Sequence, residues 1–404
     1  MKKIKIKKSC HINLTETYCA HNYHPLPVVI HSGLGSWVWD EQGNKYLDML
    51  CAYSAVNQGH LHPHIKKAAQ EQINKLTISS RAFYNDQLGR FAQKVCQITG
   101  KESMLPMNAG TEAVETALKV ARKWGNQKKG VSEGSQQVVV CSNNFHGRTI
   151  TIISMSSDQQ YRKGFGPFTG GFVQIPFGDH LALEKALNKN TVAFLFEPIQ
   201  GEGGIIIPPH GYLKKVRNIC SKYNILMIAD EIQTGLGRTG NWFACDHESV
   251  IPDIYILGKA LSGGFYPVSA IAANRDIMEV ITPGDHGSTF GGNPLASAIG
   301  IAALEVIESE NLVQRAAETG TYFRSLLDSL RSSHVKEVRS KGLMIGLEIH
   351  RSSGTAMKYC YRLMERGLLC KDTHSQTIRF APALGISKDE IEWAFEQIQA
   401  VLED

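Results

Sequence analysis

Between about residues 100 and 270, the sequence alternates short apolar runs with segments long enough to form helices. The apolar runs are 137–141, 192–196, 225–229 and 254–257, and the helical stretches include 111–124 and 212–223. The order apolar strand, helix, apolar strand is typical of βαβ units, in which helices cover both faces of a parallel sheet. The sequence therefore predicts an α/β domain built on a mostly parallel sheet.

The C-terminal third has a different pattern. Residues 294–310 and 312–331 carry apolar residues at helical spacing, which predicts two long helices. Residues 337–350 alternate like one strand, and residues 377–380 predict another. A final helix begins at Ser387, where the sequence Ser-Lys-Asp-Glu forms a capping box.

A hairpin is predicted near the N-terminus, where residues 37–39 and 45–47 flank a Gly-bearing turn. We expect this segment to join the C-terminal third. The predicted organisation is a large domain of residues 51–294 and a smaller α+β domain made of residues 1–50 and 295–404.

Charge and hydropathy limit the partners. The 43 Lys+Arg and 38 Asp+Glu residues give a net charge of +5, and five lysines lie within the first eight residues: Lys2, Lys3, Lys5, Lys7 and Lys8. The rest is neutral, so we interpret the head as a solvated tail and expect no nucleic-acid partner. No segment resembles a signal peptide or reaches the roughly 18 apolar residues of a membrane helix. We expect no membrane partner and a cytoplasmic location.

Cysteines and histidines predict neither a disulfide framework nor a metal site. The nine cysteines are odd in number and form no C-x-x-C motif. Cys141 follows an apolar run and is expected to be a small buried residue, as in a reducing compartment. His60, His62 and His64 alternate without a third-ligand motif, so we expect no metal.

One lysine stands at the end of an apolar strand. Lys259 follows residues 254–257 and precedes a Gly-rich turn. Burial at such a position lowers a lysine pKa from about 10.4, and a neutral amine attacks an aldehyde where an ammonium does not. The alternative is a lysine at the mouth of a loop without a chemical role.

Asp230 and Gln233 follow the apolar run 225–229. A carboxylate at the carboxyl end of a buried parallel strand lies where α/β folds bind ligands. There it is suited to pair with the pyridinium nitrogen of pyridoxal phosphate and so keep the ring an electron sink. Gln233 is suited to donate to the phenolic oxygen. Capping of the next element by Asp230 is the alternative interpretation.

Gly110 and Thr111 open a predicted helix. Backbone N–H groups and the positive end of the helix dipole at such a turn favour an anion. Gly110 permits a close approach of the backbone, and Thr111 adds a hydroxyl. Simple N-capping explains the same two residues.

Four further candidates lie on or after predicted strands. Phe145 is suited to stack on a flat ring, and Arg148 to bind a carboxylate with two hydrogen bonds. Glu202 and Arg379 offer opposite charges. Each of the four is, taken alone, also compatible with an ordinary surface position.

Together, the motifs DEIQTG (230–235) and LGKALSGG (257–264) resemble the fingerprints of subgroup III, fold type I aminotransferases, which depend on pyridoxal phosphate. The resemblance covers nearly all of the chain from Tyr23 onward. It is closest to the ornithine δ-aminotransferase branch at residues 21–27, 52–60, 80–84, 264–269 and 286–294. It implies a fold type I transferase.

The resemblance also implies how the cofactor is held. Lys259 bonds to it covalently and then moves a proton between substrate and cofactor. Asp230 pairs with the pyridine nitrogen, Gln233 meets the phenolic oxygen, and Phe145 stacks on the ring. The phosphate is bound by Gly110, Thr111, Ser288 and Thr289, the last two from a partner subunit.

Substrate contacts are implied at five positions. Tyr23 and Arg148 hold the α-amino and α-carboxylate ends of L-ornithine, with Tyr53 beside them. An ion pair between Glu202 and Arg379 masks the arginine while the diamine binds, and it opens for the α-carboxylate of 2-oxoglutarate.

The implied reaction passes the δ-amino group of L-ornithine to 2-oxoglutarate in at least a homodimer, since the phosphate site takes residues from two chains. The products are glutamate and glutamate 5-semialdehyde, which cyclises to pyrroline-5-carboxylate. One alternative is an enzyme of the same subgroup acting on acetylornithine or 4-aminobutyrate. A second is a binding protein that kept the fold, against which the presence of Lys259 and Asp230 argues.

Overall fold

The computed structural model describes Ile4 and residues 9–403. The five lysines of the N-terminal head lie outside the described residues, so the interpretation of that head as a solvated tail stays a prediction. Within the described ranges, no helix is both long and apolar enough to cross a membrane.

The elements of the described chain are as follows. The strands are β1 (Ile30–Leu34), β2 (Trp37–Asp40), β3 (Lys45–Asp48), β4 (Ser103–Met107), β5 (Gln137–Cys141), β6 (Phe172–Ile175), β7 (Thr191–Phe196), β8 (Leu226–Asp230), β9 (Ile254–Leu257), β10 (Ser269–Ala273), β11 (Val335–Lys341), β12 (Met344–Ile349), β13 (Leu368–Leu369), β14 (Lys371–Thr373) and β15 (Thr377–Phe380). The α-helices are Cys10–Tyr18, Pro63–Ile73, Leu88–Thr99, Gly110–Gln127, Ile150–Ser154, Gln159–Arg162, His180–Ala186, Tyr212–Lys222, Arg275–Met278, Pro294–Ser309, Leu312–Asp328, Ala356–Met364 and Lys388–Leu402. Short 3-10 helices are Ala244–Glu248, Lys259–Ser262 and Arg351–Ser353, and Cys51–Ser54 form a left-handed turn.

A seven-stranded sheet in the order β4-β10-β9-β8-β7-β5-β6 forms the centre of the large domain. Its strands β6, β5, β7, β8 and β9 are parallel, and β10 runs antiparallel to both of its neighbours. Every residue of β7, β8 and β9 is buried because the sheet is covered on both faces. Helix Gly110–Gln127 packs on one face and helix Tyr212–Lys222 on the other. The mostly parallel sheet predicted from the sequence is confirmed.

The N-terminal hairpin and the C-terminal region share one small sheet. Strands β2 and β3 pair antiparallel, as predicted, and β13 pairs in parallel with β3 by the register Leu47↔Leu368. The hairpin therefore joins the C-terminal third. The division of the chain at residues 50 and 294 stays a prediction.

The prediction of one strand over residues 337–350 is wrong. The structure has two antiparallel strands there, β11 and β12, which turn at Gly342. Gly342 has a φ of +52°, and a Cβ at this position would lie 2.4 Å from the carbonyl carbon of Thr239. Alternation runs through both arms of such a hairpin, so the pattern alone does not show the turn.

The predicted C-terminal helices are confirmed at Pro294–Ser309, Leu312–Asp328 and Lys388–Leu402. The last begins with the predicted capping box. Ser387 N–H donates to Glu390 Oε2 over 2.9 Å, and Glu390 N–H donates to Ser387 Oγ over 3.1 Å.

The three alternating histidines bind three different carboxylates. His60 pairs with Asp48, His62 with Glu310 and His64 with Glu305, at 2.7–2.8 Å. The nine cysteines are free, and Cys141 is buried in β5, as predicted.

Candidate active site

A cavity of about 160 Å³ lies where the parallel strands β7, β8 and β9 end. Parallel strands end at one edge of a sheet, so side chains that follow them converge there. Seven of the residues singled out in the sequence line this cavity: Gly110, Thr111, Phe145, Glu202, Asp230, Gln233 and Lys259.

Lys259 enters the cavity two residues after β9, with its backbone in the left-handed region at φ +46°. The residue is half-buried and lines the cavity. Burial lowers the pKa of Lys259 to about 8, although the nearby carboxylate of Glu202 opposes this shift. A substantial fraction of this amine is therefore neutral near pH 8 and able to attack an aldehyde.

Asp230, the last residue of β8, is held by a residue that the sequence reasoning missed. Nδ1 of His146 lies 2.6 Å from Asp230 Oδ2, and both side chains are buried. Burial opposes a charge on His146, but the hydrogen bond and the negative charge of Asp230 outweigh it and raise the histidine pKa. The only signal in the sequence was the place of His146 beside Phe145, after a strand.

Glu197 was missed as well. It follows β7 directly, lines the cavity, and accepts a 3.0 Å hydrogen bond from the backbone N–H of Phe145. Burial raises the pKa of Glu197 to about 8, with His146 acting in the opposite direction. The position of Glu197 at the end of a buried strand was the available signal.

The N-terminus of helix Gly110–Gln127 faces the cavity through Gly110 and Thr111. Thr111 Oγ1 is buried and has no hydrogen-bond partner among the residues that the structure describes. A Cβ on Gly110 would lie 2.9 Å from Cδ1 of Ile232, so a larger residue here would displace the end of that side chain.

Glu202 and Arg379 form the ion pair that the resemblance implied. Arg379 Nη1 donates to Glu202 Oε1 over 2.5 Å, and the arginine is only 1% exposed. The Tyr53 ring lies 4.8 Å from the guanidinium carbon, and Gln233 Nε2 approaches Glu202 Oε1 at 3.4 Å. Burial alone would raise the pKa of Glu202. The positive charges of Arg379 and Lys259 outweigh burial, so the pKa of Glu202 lies below its ordinary value.

The remaining candidates lie outside the lining of this cavity. Arg148 is exposed, with its guanidinium 3.9 Å from the Tyr161 ring, and Tyr23 is 68% exposed. Ser288 and Thr289 line a separate, larger cavity of about 600 Å³. That larger cavity has neither a lysine nor a carboxylate in its lining, so the smaller one is the candidate active site.

Comparison with known proteins identifies the family. Residues 18–402 match the class-III aminotransferases. The chain belongs to the class-III aminotransferase family. The family uses pyridoxal phosphate, so the cofactor, the fold type I architecture and the aminotransferase activity expected from the sequence are confirmed.

Class-III aminotransferases with high identity include the ornithine aminotransferases of Geobacillus sp. (strain WCH70) and Bacillus subtilis (strain 168). The first is 57% identical over 390 residues, which cover 96% of this chain and 97% of the relative. The second is 56% identical over 391 residues and covers 97% of both.

Solved structures of the family superpose closely. The ornithine aminotransferase from Toxoplasma gondii has a TM-score of 0.96 at 43% identity, covering 97% of this chain and 93% of the other. The acetylornithine aminotransferase from Elizabethkingia anophelis has a TM-score of 0.88 at 47% identity, covering 97% and 98%.

The residues of the smaller cavity fit pyridoxal phosphate. The unpartnered hydroxyl of Thr111 lies at a helix N-terminus, where an anion is favoured. Lys259 has the lowered pKa that attachment of an aldehyde needs, and buried Asp230 offers a carboxylate.

Proposed function

We infer that the protein transfers the δ-amino group of L-ornithine to 2-oxoglutarate, giving glutamate and glutamate 5-semialdehyde, which cyclises to pyrroline-5-carboxylate. The observation that carries this inference is the Glu202–Arg379 ion pair, which lies beside the cavity of Lys259. The high identity to ornithine aminotransferases over nearly the whole chain supports it.

The ion pair answers a problem set by the two substrates. Ornithine must present its distal amine, an end that carries no carboxylate. 2-Oxoglutarate must present the keto group beside its α-carboxylate, which needs a guanidinium as partner. Arg379 provides that guanidinium when it is free, and Glu202 masks it when the diamine is bound.

Pyridoxal phosphate, when bound, supplies an aldehyde that bonds to amines and a ring that accepts electrons. We propose that Nζ of Lys259 holds that aldehyde and then accepts and returns the proton at the reacting carbon of the substrate. Asp230 pairs with the ring nitrogen, with His146 holding its carboxylate in place. Gln233 donates to the phenolic oxygen, and Phe145 stacks on the ring. Phosphate binding is assigned to Gly110 and Thr111.

For ornithine itself, we propose that Tyr23 and Arg148 bind the α-amino and α-carboxylate groups. Both side chains are exposed, as suits residues that meet the far end of a long substrate. We assign Tyr53, whose ring lies against the guanidinium of Arg379, to the same substrate site.

We further propose a homodimer in which Ser288 and Thr289 complete the phosphate site of the partner. These two residues lie apart from the cavity of Lys259 in their own chain. Exposed aromatic side chains at Phe83, Tyr84 and Phe290 are of the kind that interfaces cover. Nine free cysteines support a cytoplasmic location.

We also propose that the chain divides into its two domains at residues 50 and 294.

Single-turnover spectroscopy tests the function. L-Ornithine, N-acetylornithine, 4-aminobutyrate and L-glutamate are each mixed with the holoenzyme, and the loss of absorption of the Lys259-bound cofactor is followed. We expect the largest apparent second-order rate constant for ornithine. A larger value for N-acetylornithine would instead favour the alternative activity, transamination of acetylornithine. The 47% identity to an acetylornithine aminotransferase supports this alternative.

Complementation tests the dimer. Lys259→Ala and Ser288→Ala/Thr289→Ala proteins are each inactive in this proposal. A refolded mixture should regain activity, because a mixed dimer contains one intact site. A mixture that stays inactive would contradict the shared site.

A further inference from the structure

Four consecutive residues without a glycine have a left-handed backbone. The φ angles of Cys51, Ala52, Tyr53 and Ser54 are +47°, +47°, +60° and +71°. L-residues visit this region as single residues and not as runs, because the Cβ crowds the following carbonyl oxygen. Such a conformation persists only where the surroundings impose it, and it is concentrated at functional sites.

Asp48 imposes the turn from its N-terminal side. The residue is 7% exposed, and its Oδ1 accepts hydrogen bonds from the backbone N–H groups of Leu50 and Cys51, both at 2.9 Å. Its Oδ2 lies 2.8 Å from Nε2 of His60. A carboxylate only accepts, so Nε2 of His60 carries the proton and donates it.

His60 in turn is fixed to the turn between β1 and β2. Its backbone N–H donates to the carbonyl oxygen of Gly35 over 2.8 Å, and Gly35 N–H donates back over 3.0 Å. The Asp48–His60 pair therefore closes the segment 48–60 into a loop with both ends anchored.

The loop carries Tyr53 to Arg379. The Tyr53 ring lies 4.8 Å from the guanidinium carbon. Two backbone hydrogen bonds tie the loop to the residues that follow β15: Ala381 N–H donates to Met49 at 2.7 Å, and Leu384 N–H donates to Asn57 at 2.8 Å. The position of the turn therefore decides whether the Tyr53 ring lies against the guanidinium of Arg379.

We propose that Asp48 and His60 are positioning residues that hold residues 51–54 in the left-handed turn, keep Tyr53 against Arg379, and thereby set which amino donor the pocket admits. The part of this proposal that concerns the choice of amino donor rests on the proposed function. The structural part, that Asp48 holds the turn, does not.

The test compares Asp48→Ala with a matched control, Asp40→Ala. Asp40 is 8% exposed and its Oδ1 also accepts two backbone hydrogen bonds, from Gln42 at 2.9 Å and Asn44 at 2.8 Å. It serves the β2–β3 turn and does not line the cavity. A milder variant, His60→Asn, keeps both backbone bonds of Asp48, and it gives a second measurement if Asp48→Ala does not fold.

The first readout is the ratio of kcat/KM for ornithine to kcat/KM for glutamate in the holoenzyme. We expect Asp48→Ala to lower this ratio about tenfold through loss of alignment, and His60→Asn to lower it less. Asp40→Ala should leave it within about twofold. An equal change in the Asp48 and Asp40 variants would overturn the proposal, because general loosening would then explain both.

The second readout is hydrogen exchange of the backbone amides of residues 49–57. We expect faster exchange in Asp48→Ala and not in Asp40→Ala. Adding Ala52→Gly to Asp48→Ala should restore the ratio in part, since glycine adopts a left-handed backbone without a steric cost. Faster exchange with an unchanged ratio would overturn the link to donor choice. A wild type that does not react with ornithine would refute the proposed function instead, and the exchange data would still decide whether Asp48 holds the turn.

Discussion

Replacing Glu202 by alanine should shift the amino-donor preference towards glutamate. Arg379 is 1% exposed, and Glu202 is the carboxylate bonded to it, over 2.5 Å. Without Glu202 the guanidinium keeps its contact with the Tyr53 ring but has no ion-pair partner among the residues that the structure describes. An incoming α-carboxylate then fills the vacant place, and glutamate brings one next to its reacting amine.

The structure sets the size of this effect. A hydrogen bond to a charged group contributes about 1.5–3 kcal/mol, and about 1.4 kcal/mol corresponds to a tenfold change in an equilibrium constant. The Glu202 side chain is 27% exposed, so water already screens part of the pair and the lower half of that range applies. We expect the rate of the glutamate half-reaction, relative to that of ornithine, to rise by roughly tenfold to fortyfold.

The assay is single-turnover loss of absorption of the Lys259-bound cofactor with each amino acid, over a range of concentrations. Glu348→Ala is the matched control, because Glu348 also forms an ion pair with an arginine, Arg339, on the β11–β12 hairpin, and neither residue lines the cavity. An unchanged ratio in Glu202→Ala, or the same change in Glu348→Ala, would show that Glu202 does not gate Arg379.

Three other predictions concern the cofactor site. Borohydride reduction and peptide mapping should find the pyridoxyl group on Lys259, and Lys259→Ala should abolish turnover; an adduct on another lysine would refute the assignment. Asp230→Ala should fold but lose about 3–5 kcal/mol of stabilisation of the charged ring nitrogen, measured as a fall in kcat/KM. His146→Phe should show a smaller fall in kcat/KM. Rates near those of the wild type in both variants would show that Asp230 has only a structural role. Because the pKa of Lys259 is lowered to about 8, cofactor capture by the ligand-free protein should accelerate with a midpoint near pH 8, and a midpoint near 10.4 would contradict this. Between those two pH values the unfolded chain binds more protons, so the contribution of Lys259 to the free energy of unfolding rises with pH.

Local patterns in the sequence were enough for the elements that bury apolar residues at a regular period. The strands β5, β7, β8 and β9 begin and end within one residue of the predicted runs, because a strand covered on both faces must be apolar throughout. The capping box at Ser387 was predictable because its hydrogen bonds join residues three positions apart. Candidate side chains at strand ends followed from the same reasoning, since Asp230 directly follows one such run and Lys259 follows another after a single glycine. Their assignment to one cofactor came from the resemblance to a family and not from the pattern.

Contacts between distant segments were decided by the tertiary structure alone. His146 and Asp230 are 84 residues apart and Glu202 and Arg379 are 177 apart, and no local period encodes either pairing. The hairpin at Gly342 has the same alternation as one long strand, so only packing against Thr239 reveals the turn. The left-handed backbone at residues 51–54 contradicts the local preference of four L-residues, and it exists because Asp48 and His60 hold it from outside the turn. Sequence determines local structure where neighbouring residues supply the free energy, and tertiary structure decides wherever partners far along the chain supply it.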